Sequence, residues 1–93
     1  MDKIRLKKER KNIDKIDNQI FKLIKKRTNI VKKMLKLKKY KSEIVDHKRI
    51  NEILFTLKKK SISNKLDPKI TKKIWKSMIW SYVDFQRRNF KKK

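Results

Sequence analysis

Apolar positions along this chain recur with a helical period, and nowhere with the period of two that marks a strand. Stepping by three and four residues from Arg10 gives Ile13, Asp17, Ile20, Ile24, Arg27, Val31, Met34 and Lys38. That is the unbroken 3-4-3-4 seam by which one helix packs on others. No Gly or Pro interrupts it, so a first helix is expected over about residues 3–40, roughly 55 Å long. Asp46 is a suitable N-cap for a second helix, about 46–60, on which Ile50, Ile53, Leu54 and Leu57 share a face. Asp67-Pro68, a cap followed by proline at the first helical position, opens a third helix over about 68–90. The fold class expected is all-α, one domain over residues 1–93.

The content of the seam is unusual. Arg10, Arg27 and Lys38 occupy positions that should be apolar, and a charge there is costly unless it is paired or meets an anion. The seam therefore reads as a core with an anion site built into it. Helices 2 and 3 together only match helix 1 in length, which leaves one copy with an uncovered seam that a second copy would cover. Arg10 and Arg27 lie 17 residues apart, about 25 Å along one helix, too far to serve one small ligand. Antiparallel pairing of two long helices would bring Arg10 of one copy toward Arg27 and Lys38 of the other, so the site itself calls for a dimer.

Composition narrows the classes. The chain has 93 residues and a net charge of +23 from 32 Lys+Arg against 9 Asp+Glu. Such an excess points to a polyanion, nucleic acid or a membrane surface. Yet Gly is absent while Lys, Ile and Asn are abundant, the combination an AT-rich genome imposes, and that is the simpler account. Without cysteine there is neither disulfide nor thiolate metal site, and one His argues against a histidine metal centre. No run approaches the roughly 18–20 apolar residues of a membrane span. The basic N-terminus has no apolar run behind it and does not read as a secretory signal. A cytoplasmic protein is expected.

Taken in order, Arg10-Lys-Asn-Ile13-Asp14-Lys-Ile16-Asp17, Leu23-Ile24-Lys-Lys-Arg27 and Lys38 resemble the first helix of the AroQ-type (type II) chorismate mutases. Val45-Asp46-His-Lys-Arg49, Leu66-Asp67-Pro68 and Gln86 agree further on, so the likeness runs from about Ile4 to Phe90. It implies an intertwined, all-helical homodimer that converts chorismate to prephenate by a Claisen rearrangement, with no cofactor. By position, Arg27 would hold one substrate carboxylate and Arg10 of the partner chain the other. Lys38 and Gln86 match the pair that donates to the ether oxygen. Asp46 and Arg49 match residues lining the site from helix 2. Such a reaction requires a folded substrate conformer and preplaced donors rather than a base.

Two positions depart from the pattern. Ile50 stands where these enzymes place a Glu for the ring hydroxyl, and Tyr82 stands where Ser is common. A lost charge-assisted bond of about 1.5–3 kcal/mol is roughly ten- to a hundredfold in rate. Both changes are similar to the isochorismate pyruvate lyases, which share the fold and release salicylate and pyruvate. A basic helical nucleic-acid-binding protein is the alternative of another class. It would leave the seam cations and Gln86 unexplained, so nucleic acid is expected to bind only non-specifically. Trp75 and Trp80 are expected to serve packing.

Overall fold

A computed structural model describes residues 2–91; Met1, Lys92 and Lys93 lie outside the described residues. Three α-helices follow one another, α1 (Lys3–Leu37), α2 (His47–Ser63) and α3 (Pro68–Asn89), with a 3-10 turn at Lys41–Glu43 between the first two. No strand occurs among the described residues, so the chain is all-α. It divides into two compact units, Met1–Lys32 and Lys33–Lys93.

The first unit is helix alone. Its apolar seam is largely uncovered in one copy, with Ile13 55% and Ile20 50% exposed. The reason is plain: this unit contains no second element on which the seam could pack. Among seam positions only Val31 is buried.

The second unit begins at Lys33, within α1, and the helix stops at Leu37 rather than at Tyr40. The difference has a chemical cause. The Glu43 carboxylate accepts from the N–H of Lys39 at 2.7 Å and of Tyr40 at 3.1 Å. Those are the donors that would have continued the helical ladder, and Tyr40 is extended, at φ −122° and ψ 142°. After the turn, the Asp46 side chain accepts from the Arg49 N–H at 3.0 Å and starts α2, as its residue type suggested.

Helix α2 runs three residues past the expected Lys60 and closes with Lys65 N–H donating to Ile62 O and Leu66 N–H to Ser61 O. This is the double closure of a helix whose next residue turns left-handed. That residue is Lys65, at φ 55°, a conformation usually given to glycine. Asp67 then caps α3 by accepting from the Lys69 N–H at 2.9 Å, with Pro68 in the first helical position.

Helices α2 and α3 pack on each other. The buried apolar residues of this unit are Ile44, Ile79 and Val83. Between the helices, the Ser61 and Thr71 hydroxyls meet at 2.7 Å in a buried bond, while Ser61 Oγ donates to the Leu57 carbonyl. Three apolar side chains are a small core for such a length. Trp80 is 44% exposed, so the expected packing role falls to the half-buried Trp75.

Candidate active site

Lys38 follows α1 directly, and Gln86 stands in the last turn of α3. Lys38 Nζ donates to Gln86 Oε1 at 2.6 Å, across 48 positions of sequence. The other end of the amide is engaged as well, with Nε2 donating to the Tyr82 carbonyl at 3.2 Å. Gln86 is only 7% exposed, and its bonds meet the requirement that buried polar groups find partners. An ammonium carries three donors and an amide nitrogen two. Each side chain therefore retains at least one N–H for a further acceptor.

The Lys38 ammonium is electrostatically tuned. Burial pushes its pKa below the ordinary value of 10.5, and Glu43 and then Asp46 pull it back upward. Glu43 itself is held below the usual carboxylate range, first by the Tyr40 N–H, then by the Lys39 N–H, with the charges of Lys38 and Lys39 adding to them. Sequence reasoning gave Glu43 no role. The signal available was small: it is the only acid between Lys38 and Val45, three residues beyond Tyr40.

The expected residues of α2 sit at its first turn. Asp46 spends one oxygen on the cap. The Arg49 guanidinium lies 4.0 Å from Glu52, both well exposed, an arrangement that contributes little to stability and leaves the arginine able to turn elsewhere. Ile50 and Tyr82 are half-buried. Ile50 offers no acceptor, whatever approaches it. Arg10 and Arg27 belong to the other unit, Arg10 exposed and Arg27 half-buried. The structure thus brings Lys38, Gln86 and the Tyr82 backbone together, and sets Asp46 within electrostatic reach of Lys38.

A groove of about 520 Å³ between α2 and α3 is lined by Leu54, Phe55, Pro68 and Lys72, among others, and by none of the expected site residues. Among the described residues no group of three or more His, Cys, Asp or Glu side chains could hold a metal ion. No described helix is long and apolar enough to cross a membrane.

What this arrangement can do is present preset N–H donors and a cation. That suits the stabilisation of an oxygen gaining negative charge. No curated protein and no solved structure gives a significant match to the chain. The family model for chorismate mutase type II does match, over residues 9–87, a span that takes in all three helices, Lys38 and Gln86. The chain belongs to the chorismate mutase type II family, a family of isomerases that bind chorismate.

Proposed function

We propose that the chain converts chorismate to prephenate at a composite site, with Lys38 and Gln86 as the donors to the reacting oxygen. In this rearrangement the ether C–O bond breaks as a C–C bond forms within one molecule. No proton, electron or second reactant enters the balance. Catalysis then consists of holding the folded conformer and meeting the negative charge that builds on the ether oxygen.

The bond between Lys38 Nζ and Gln86 Oε1 at 2.6 Å carries this reading. It fixes the amide with Oε1 toward the lysine, so that Nε2, already bonded to the Tyr82 carbonyl, has its second hydrogen left for the ether oxygen. Lys38 has two further N–H bonds for the same oxygen or a neighbouring carboxylate. Arg27 takes one substrate carboxylate. The other is taken by Arg10 from a second copy, because the two arginines of one chain are too far apart along α1. Asp46 and Arg49 border the site from α2, and Ile50 and Tyr82 contribute its less polar wall.

The working form is an intertwined homodimer in this reading. Support comes from α1, whose seam residues Ile13, Ile20 and Met34 are each at least 50% exposed. Burial of that stripe against a second copy would stabilise at about 25 cal/mol per Å² of apolar area removed from water. The cytoplasm is the compartment this reading assigns, and cell fractionation would test it.

The test of function is turnover of purified protein supplied with chorismate, following loss of substrate and appearance of prephenate. Wild type should convert it, and Lys38→Ala should reduce kcat by about 10²–10³, the usual effect of removing one such donor. Full turnover by Lys38→Ala would overturn the assignment of donors.

A further inference from the structure

We propose that Glu43 is a positioning residue for the rearrangement, holding Lys38 in place for catalysis through the backbone that follows it. The inference rests on the reading of Lys38 as a donor to the ether oxygen. Three observations lead to it.

First, the Glu43 Oε2 atom accepts from two successive N–H groups, Lys39 at 2.7 Å and Tyr40 at 3.1 Å. The Lys39 N–H belongs to the peptide group that joins Lys38 to Lys39. Its hydrogen bond therefore fixes the plane attached to the Lys38 Cα, and with it the direction from which the side chain departs. Second, the contact is reciprocal: the Glu43 N–H donates to the Tyr40 carbonyl at 3.1 Å, and Ile44 N–H to Lys41 O at 3.2 Å. The turn closes on itself and ends at Ile44, which is buried. A rigid link thus runs from a core residue to the catalytic lysine. Third, the carboxylate has the larger effect of two acids that raise the Lys38 pKa, the other being Asp46. Burial opposes the ammonium, and the two carboxylates oppose burial. Lys39 is the cation that also faces Glu43.

A surface turn could be held by this carboxylate for stability alone. The position argues for more, because Lys38 has left the helix that would otherwise hold it. Its N–H retains only a bond to the Leu35 carbonyl at 3.2 Å. Displacement of a catalytic group by about 1 Å can cost about a hundredfold in rate, so the bonds at Lys39 and Tyr40 bear directly on turnover.

The experiment compares wild type, Glu43→Ala, Glu43→Gln and Lys38→Ala as full chains. Each is measured for kcat, KM, pH–rate profile and thermal melting. Loss of the carboxylate should lower kcat in Glu43→Ala by roughly ten- to a hundredfold with little change in KM. Glu43→Gln keeps a carbonyl oxygen for the two N–H groups and should recover kcat to within a few-fold. Both variants lack the charge, so both should move the alkaline limb of the profile to lower pH. Wild-type kcat and an unmoved alkaline limb in both, with Lys38→Ala inactive, would overturn the role of Glu43 and leave the donor assignment standing. A kcat loss in Glu43→Ala that follows its melting temperature and is not rescued by Glu43→Gln would also overturn it. Full activity of Lys38→Ala would instead remove the reading on which the inference rests.

Discussion

Lys38 and Gln86 stand 48 residues apart in the chain and 2.6 Å apart in the fold, the ammonium donating to the amide oxygen. The direction of that bond is what the proposed chemistry depends on. An amide with its oxygen committed to lysine turns its nitrogen outward as a donor, and a donor is what an ether oxygen gaining charge requires. Assignment of the amide ends follows from the hydrogen-bond network, and here both ends agree: the ammonium has no lone pair to accept with, and the Tyr82 carbonyl has no hydrogen to donate.

Gln86→Glu tests this bond. The new carboxylate keeps the contact with Lys38 as an ion pair, so the fold should survive. At neutral pH it has no hydrogen to offer, and kcat should fall by about 10²–10³. Turnover should recover as pH is lowered and the carboxyl is protonated. A pH–rate profile flat across pH 5–8 would contradict the role.

The titration of Lys38 sets a second expectation. Its folded pKa lies below 10.5, with burial as the chief cause. The charged, donating form is lost as pH rises through that lowered value, so activity should decline on the alkaline side sooner than an ordinary lysine would dictate. Stability moves the other way. Between the folded pKa and 10.5 the unfolded chain binds the proton more tightly, and the free energy of unfolding contributed by this group rises with pH. Lys38→Arg, always charged, should abolish the alkaline limb at reduced kcat, and the two profiles side by side are the check.

The proposed division of the site between copies is tested by complementation. Arg27→Ala should abolish turnover while association persists, because the guanidinium serves the ligand more than the fold. Arg10→Ala should be equally inactive. Mixed under subunit exchange, the two inactive proteins should recover activity, since a heterodimer holds one site with both arginines. No recovery, with exchange confirmed by mass after isotope labelling of one of the two variants, would exclude a contribution of Arg10 to the partner's site.

Lys65 offers a test of stability away from the site. It adopts φ 55° in the left-handed turn after α2, which costs a residue with a Cβ roughly 1–2 kcal/mol. Lys65→Gly removes that cost but loosens the unfolded chain by about 0.4–1 kcal/mol. The net expectation is a gain of up to about 1.6 kcal/mol, read from the midpoint of chemical denaturation, with turnover unchanged.

The three helices were legible because their signals are local. Asp46 and Asp67-Pro68 mark starts through their own backbone chemistry, and the 3-4 spacing of Ile13 to Met34 shows at any point along α1. The family resemblance carried by Arg10, Arg27, Lys38 and Gln86 likewise led to the family that the match over residues 9–87 shows. The end of α1 was not legible. It depends on Glu43 reaching back four residues to take two N–H groups, and a lone glutamate among lysines gives no sign of that. Spacing shows which face of α1 is apolar, and the helix lengths show that one copy leaves much of it uncovered, as the exposure of Ile13, Ile20 and Met34 has it.

Gln86 lies three residues from the end of α3 at Asn89, and helix ends open with far less free energy than cores. Two local bonds hold that turn, Arg88 Nε to Asp84 at 2.9 Å and Asn89 Nδ2 to the Phe85 carbonyl at 2.8 Å. Both lie on the surface, where such contacts are weak. On warming, the amide should lose its place before Ile79 and Val83 lose their burial. Heat inactivation would then precede melting, with the working temperature of the enzyme set by a single turn of helix.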